Sequence, residues 1–150
     1  MTNYDSSLDT LSHIVRVSTI LKTFIMKILI RCKEHDKTKL EPPEKEFYDI
    51  NTPILNKLVY NSEEYKNNLE NLKEALKHHY SQNRHHPEYH ENGINDMTLI
   101  DLIEMLADWK AASERHSTGN ILKSIESNQQ RFGIDPQLTQ ILINTVKELN

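Results

Sequence analysis

Histidine and aspartate are the residues of this chain whose positions point most clearly to chemistry. Eight histidines occur in 150 residues, and five of them lie between residues 78 and 90. Imidazole is the most common protein ligand for metals and the usual acid or base near neutral pH. His35 and Asp36 are adjacent, and Pro42-Pro43 ends any helix close by. Neighbouring helical side chains point about 100° apart, so this pair could converge on one ion only at a helix end or bend.

Two further residues could complete such a site. His13 lies among apolar residues of the first helix, where it is either a metal ligand or a histidine satisfied within the core. Asp108 directly follows Leu106 and Ala107, which we expect on the core face of a late helix. A buried carboxylate needs a partner, because an unpaired buried charge is very costly. That partner is either a metal ion or an arginine.

The elements that must position these residues are predicted to be helices. Helical periodicity recurs and no strand-like alternation persists, which indicates an all-α fold of about six or seven helices. The first helix begins near Ser6 or Ser7 and ends near Cys32. The others are expected at residues 44–49, from about 63 to 79 or 80, from 97 to about 116, at 121–132 and from 136 onward.

Capping and breaking residues set several of these boundaries. Asn51-Thr52-Pro53 is expected to end the second helix. Asp96 or Thr98 can cap the helix expected from residue 97. Gly133 is placed to end the helix expected at 121–132 in a left-handed conformation. Asp135-Pro136 has the cap and first-turn proline of a helix start. The core face of the helix from 97 is predicted to comprise Leu99, Leu102, Ile103, Leu106 and Ala107.

Composition limits the class of protein. A chain of 150 residues fits one domain, here predicted over 1–150, and the net charge of −4 argues against nucleic acid as the main partner. Cys32 is the only cysteine, which excludes an intramolecular disulfide and a cysteine-based zinc cluster. The polar, acidic start is unlike a signal peptide, and no apolar run reaches the length of a membrane span. We therefore expect a cytoplasmic protein without a membrane partner.

Taken in order, His13, His35-Asp36 and Asp108 resemble the HD superfamily of metal-dependent phosphohydrolases. The segment Leu106-Ala107-Asp108 looks like that superfamily's distal aspartate. A closer likeness, over nearly the whole chain, is to a small uncharacterised set of phage and bacterial proteins. It rests on three segments, His35 to Lys39, His78 to Glu88, and Leu102 to Trp109.

The resemblance implies a helical HD-like domain in which His13, His35, Asp36 and Asp108 hold a divalent ion. Two histidines and two aspartates suit Mn²⁺, Fe²⁺, Co²⁺, Ni²⁺ or Zn²⁺ better than Ca²⁺ or Mg²⁺. One ion is expected rather than two. The reaction implied is hydrolysis of a small phosphorylated substrate, a nucleotide or a related phosphoester.

The histidine-rich segment is the second candidate region. His79 and His86 are predicted to act in acid–base chemistry, and Arg84 and His85 to contact the phosphate. Some HD relatives bind a second metal with extra histidines, although the close spacing here departs from that pattern. A rigid loop held by histidine hydrogen bonds is the structural alternative.

Three more charged residues are candidates. Glu104 shares a helix face with Asp108, where it is either the base that activates water or a carboxylate that orients a ligand histidine. Many HD phosphohydrolases have an acidic residue near the position of Lys39, and a protonated lysine cannot be that base. Lys39 is therefore predicted to bind substrate phosphate or to pair with a carboxylate. Lys110 could meet phosphate at the rim, or lie on a solvated face.

Two other functions stay open. An HD-type diiron oxygenase would use the extra histidines to hold two irons. The other is a non-enzymatic domain of phage origin that a metal ion stabilises and that binds another protein. It would explain why Lys39 stands near the position where many HD phosphohydrolases have an acidic residue. The apolar helices also leave room for a homodimer.

Overall fold

A computed structural model describes residues 4–55, 57–58, 63–64, 73–115 and 119–149 of the chain. All regular secondary structure in those ranges is helical, which confirms the predicted all-α class. The chain divides into two compact units, Met1–Glu34 and His35–Asn150. The assignment of residues 1–150 to a single domain stays a prediction.

The first unit contains one long helix, α1, over Ser7–Glu34. It begins at the predicted position near Ser6 and Ser7, and the Ser6 carbonyl accepts a hydrogen bond from the Thr10 amide at 3.0 Å. None of its residues is buried, and its large apolar side chains are exposed.

Helix α2 is the first α-helix of the second unit. It covers Glu44–Leu55 and follows a short 3-10 helix at Lys37–Leu40. The predicted break at Asn51-Thr52-Pro53 is wrong, because the helix continues through Pro53. Proline at this point, close to the helix end, removes only one backbone hydrogen bond of the last turn. The Asn51 side chain also donates to the Phe47 carbonyl at 2.8 Å and holds that turn together.

Helix α3 covers Lys73–Gln82. Glu63 and Glu64, at the predicted start of this helix, are helical, and residues 65–72 lie outside the described ranges. The segment expected to be a loop contains two short 3-10 helices, Pro87–Tyr89 and Gly93–Asp96. Contacts join α3 to α2 and to the 3-10 helices at Lys37–Leu40 and Pro87–Tyr89. The histidines of residues 78–90 are thereby held against the start of the second unit.

The apolar core lies among the last three helices, α4 (Leu99–Glu114), α5 (Ile121–Phe132) and α6 (Pro136–Glu148). Gly133 adopts a left-handed conformation with φ 62° and ends α5 as predicted, and the Asp135 side chain caps α6. Trp109 stacks on Phe132 at a centroid distance of 6.4 Å. The core residues are Leu102, Met105, Leu106, Trp109, Ile125, Ile134, Leu142 and Val146.

The predicted core face of α4 is only partly right. Leu102 and Leu106 are buried, whereas Leu99, Ile103 and Ala107 are exposed. The buried face is rotated, because Met105 and Trp109 supply larger apolar surfaces to the core. This rotation places Glu104 and Asp108 at the edge of the buried face, half-exposed.

The start of α4 is fixed by a capping box. The Thr98 hydroxyl accepts from the Asp101 amide, while the Asp101 carboxylate accepts from the Thr98 amide at 2.9 Å. Asp101 is fully buried and also accepts two hydrogen bonds from Arg84, at 3.3 and 3.1 Å. The Arg84 guanidinium therefore ties the histidine-rich loop to the first turn of α4.

Replacing Asp101 by alanine should lower the free energy of unfolding by about 2 to 3 kcal/mol. The change removes a helix cap, worth about 1 kcal/mol, and hydrogen bonds to a charged group, worth about 1.5–3 kcal/mol. Urea denaturation measures the loss. Glu114→Ala at the exposed end of the same helix is the matched control and should shift stability by less than about 1 kcal/mol. Equal effects of the two changes would contradict the role given to Asp101.

None of the described helices combines the length and the apolar character that crossing a bilayer requires.

Candidate metal centre

The site is built around the turn that follows α1. Asp36 adopts a left-handed conformation with φ 55°, which aspartate tolerates better than most residues. The turn lets two adjacent side chains approach one another, with 3.6 Å between His35 Nε2 and Asp36 Oδ2. This is the bend that the sequence required for the pair to converge.

Four ligand atoms meet in a buried group that we call the inner group, formed by Asp36, His79, His85 and His86. Their ligand atoms lie within 4.8 Å of one another. Asp36 Oδ1 is 3.2 Å from His79 Nε2 and 3.5 Å from His85 Nε2. Two ligands on one transition metal are about 3 to 3.5 Å apart when each bond is about 2.1 Å long. The donor set and its spacing therefore fit a metal ion.

The same four atoms are those that the protein leaves unsatisfied. Asp36 Oδ1 and the Nε2 atoms of His79, His85 and His86 are buried and accept or donate no hydrogen bond within the described structure. A buried polar atom without a partner costs about 1 to 3 kcal/mol, and a charged one costs more. Four such atoms facing one point are expected where a cation supplies the missing interactions.

A second group, the outer group, adjoins the first and shares one residue with it. It comprises His35, Asp36 and Asp108. His35 Nε2 is 3.8 Å from Asp108 Oδ1, and all three side chains are half-buried. The structure thus brings together three of the four residues predicted to bind the metal. The two oxygens of Asp36 face different groups, Oδ1 the inner and Oδ2 the outer.

Glu44 orients two histidines from behind the inner group. It is fully buried at the start of α2. His79 Nδ1 donates to Glu44 Oε2 at 2.9 Å, and His78 Nδ1 donates to Oε1 at 2.7 Å. A proton on Nδ1 leaves the lone pair of His79 Nε2 directed at the inner group, as in carboxylate–histidine–metal arrangements.

Glu104 performs the same task for two other histidines. Its Oε1 accepts a hydrogen bond from His35 Nδ1 at 3.0 Å and lies 3.2 Å from His85 Nδ1. This geometry corresponds to the carboxylate that orients a ligand histidine, one of the two roles considered for it. His35, His85 and Glu104 also qualify as a third possible metal group. Direct action of Glu104 as a base stays a prediction.

The electrostatics of the site favour cation binding. Burial raises the pKa of Asp36, but its neighbours His79, Lys39 and His35 lower it by more, and the net pKa lies well below the usual range. Burial lowers the pKa of His86 to about 3, and the neighbouring His85 and His79 add to the effect. Asp36 is therefore ionised and His86 neutral at physiological pH, which are the forms that bind metals.

His35 has the opposite tendency. The carboxylates of Asp108 and Glu104 raise its pKa to about 10, against a smaller opposing effect of burial. At neutral pH a metal ion in the outer group must compete with a proton for His35 Nε2. It must also compete with Lys39, whose ammonium donates to Asp36 Oδ2 at 2.5 Å. The outer group should therefore bind metal more weakly than the inner group.

The other predicted residues have the following positions. Lys39 pairs with Asp36, one of the two roles foreseen for it. Arg84 is engaged by Asp101, and Lys110 donates to Glu114 at 2.7 Å. Contacts of Lys39, Arg84, His85 and Lys110 with substrate stay predictions.

His13 lies on α1 and is exposed. The possible metal groups within the described ranges fall between residues 35 and 108 and do not include it. Its role as a ligand stays a prediction.

Sequence reasoning gave no structural role to Glu44, Thr38 and Asn83, although Thr38 and Asn83 lie within the segments that carry the family likeness. Asn83 is buried and donates to the Thr38 hydroxyl at 2.9 Å and to the His79 carbonyl at 2.8 Å. These bonds join the turn after Asp36 to the end of α3. An acidic residue directly after Pro42-Pro43 was visible, but nothing in the pattern connected it to histidines more than 30 positions away.

Comparison with known proteins places the chain in a family and gives no further relatives. No curated protein matches it, and no solved structure matches it. One family, described as a family of unknown function (DUF5662), matches residues 2–148, which is nearly the whole chain. The protein therefore belongs to the DUF5662 family.

Proposed function

We propose that this protein is a metal-dependent phosphoester hydrolase acting on a small nucleotide or a related phosphoester. The observation that carries the proposal is the inner group, in which four buried ligand atoms face one another without hydrogen-bond partners. Three imidazoles and one carboxylate suit Mn²⁺, Fe²⁺, Co²⁺, Ni²⁺ or Zn²⁺. The HD-like order of His35-Asp36 and Asp108 supports phosphoester hydrolysis in particular.

We assign one tightly held ion to Asp36, His79, His85 and His86. The outer group takes a second ion only at higher metal concentration, because a proton on His35 and the ammonium of Lys39 already occupy its ligands. When bound, the ion supplies Lewis acidity, which lowers the pKa of water and polarises a phosphoryl oxygen.

The surrounding residues then have separate tasks. Glu44 accepts from His79 Nδ1 and Glu104 lies beside His85 Nδ1, which favours the tautomer that leaves Nε2 of each imidazole available. Protonated His35 and Lys39 bring positive charge to the more exposed side of Asp36, where an anionic phosphate would approach. In this proposal His35 Nε2 would give a proton to the leaving oxygen, while Glu104 accepts a hydrogen bond from its other nitrogen.

Phosphate release tests this function. Protein loaded with Mn²⁺, Fe²⁺, Co²⁺ or Zn²⁺ should hydrolyse at least one member of a panel of nucleoside phosphates and nitrophenyl phosphoesters. His85→Ala should reduce the rate by about 100-fold or more, because a direct ligand is lost. His90→Gln is the control, since His90 contacts the Arg84 carbonyl and lies outside both groups. A fully metal-loaded wild type that is inert across the panel would reject hydrolysis.

The diiron oxygenase is a second candidate, favoured by one observation. The two oxygens of Asp36 face two adjoining groups of possible ligands, so Asp36 and the residues of both groups would be available to hold two irons. Two irons per chain after anaerobic loading, with oxygen consumption on exposure to air and no phosphate release, would favour it. One ion per chain with phosphate release would exclude it.

A further inference from the structure

The apolar surface of α1 is larger than any single neighbour can cover. Twelve large apolar side chains between Leu8 and Ile30 are each at least 40% exposed. At 100° per residue they spread over more than half of the circumference of the helix. A helix on the surface of a bundle normally needs an apolar stripe only somewhat wider than 100°. Contiguous exposed apolar surface of this extent marks an interaction site.

The spacing within this surface fits a helical partner. Apolar residues recur at alternating steps of three and four from Leu11 through Ile14, Leu21, Ile25 and Ile28 to Cys32, with Ser18 as the one polar member. This is the heptad repeat with which two helices pack side by side, and it persists for about three heptads. The helix itself is about 42 Å long at 1.5 Å per residue, so the seam extends over much of it.

The distribution of charged residues along α1 favours one relative direction for two packed helices. Residues 5–15 carry Asp5 and Asp9 and no lysine or arginine. Residues 16–33 carry five basic residues and no acidic one. Packed helices are about 8–10 Å apart, close to the screening length at physiological salt. Parallel copies of α1 would place the basic segments together, whereas antiparallel copies set Arg31 and Lys33 of each copy near Asp5 and Asp9 of the other and also oppose the helix dipoles.

We propose that α1 forms an antiparallel pair with α1 of a second copy of this chain, making the protein a homodimer. In the heptad register Leu11 of one copy faces Ile28 of the other, and Ile14 faces Ile25. Such an interface is self-complementary, as two-fold symmetry requires. The same register sets Cys32 of each copy opposite Ser7 of the other, which provides a direct test.

Two measurements on the full chain test the dimer. Light scattering coupled to gel filtration should give twice the chain mass for the wild type. The double variant Leu21→Lys, Ile25→Lys should elute as a monomer, while the control Arg16→Gln, on the polar side of the helix, should remain dimeric. A monomeric wild type at tens of micromolar would overturn the proposal, and so would a folded double variant that is still a dimer.

Cross-linking decides the direction and does not depend on the folding of the lysine variant. Under mild oxidation with oxidised glutathione, Ser7→Cys should form a covalent dimer through Cys32 of the other copy on a non-reducing gel. The wild type, with Cys32 alone, should not. Efficient cross-linking of the wild type would show parallel helices, and failure of Ser7→Cys to cross-link would remove the proposed pairing.

Discussion

Asp36→Asn should reduce the affinity for Mn²⁺ or Zn²⁺ by more than about 100-fold and abolish metal-dependent phosphate release. Replacing a residue that only orients a metal ligand already lowers metal affinity by about 10- to 100-fold. Asp36 contributes to both groups, and its Oδ1 is one of the four unsatisfied atoms. Asparagine keeps the size and the left-handed backbone of Asp36 but removes the charge that a cation requires. Competition with a chromophoric chelator measures the affinity.

The control for Asp36→Asn is Asp49→Asn. Asp49 is an exposed residue of α2 that pairs with Lys45, so its replacement removes the same charge from the surface. We expect unchanged metal affinity in that variant and an unchanged helical circular dichroism spectrum in both. Metal binding retained in Asp36→Asn would show that the inner group is not the binding site.

Glu44→Gln should weaken metal binding by about 10- to 100-fold, although Glu44 itself is placed behind the histidines. Glutamine fills the same buried space but presents an amide that can donate to His79 Nδ1 and so favour the proton on Nε2. The wrong tautomer removes the lone pair from the inner group. Isothermal titration with Zn²⁺ or Mn²⁺ gives the affinity.

Two comparisons separate positioning by Glu44 from a general loss of structure. Glu46→Gln, on the exposed side of the same helix, should bind metal as the wild type does. Glu44→Asp, which keeps the charge but shortens the side chain, should recover part of the affinity. Nitrogen-15 shifts of the His79 imidazole should report protonated Nδ1 in the wild type and a changed tautomer in Glu44→Gln. An unchanged tautomer with weakened binding would reject this role.

Much of the fold could be predicted because it depends on local chemistry. Helical periodicity identifies the helices, and Thr98, Gly133 and Asp135 fix ends by capping rules that involve only near neighbours. The extension of α2 through Pro53 was missed because a proline near a helix end costs little. The rotation of the core face of α4 was missed because it depends on which large side chains the other helices can accommodate.

The candidate site, like the fold, could be predicted only where local chemistry determines it. The His35-Asp36 turn was foreseen from residue type and a nearby helix end, whereas its proximity to Asp108 was implied by the resemblance to HD phosphohydrolases. His79, His85 and His86 were recognised as chemically active, but their convergence on Asp36 depends on how α3 packs beside the turn. Glu44 could not be found from the sequence, since a buried carboxylate is recognisable only by the histidines that the fold brings to it.

The metal content of untagged wild-type protein tests the central claim most directly. Elemental analysis after purification in metal-free buffer, followed by reloading with Mn²⁺, Fe²⁺ or Zn²⁺, should give about one tightly held transition metal per chain. Double replacement of His79 and His86 by alanine should abolish it. Wild-type protein that holds no metal and takes up none on reloading would contradict the account and leave a helical binding protein as the better description.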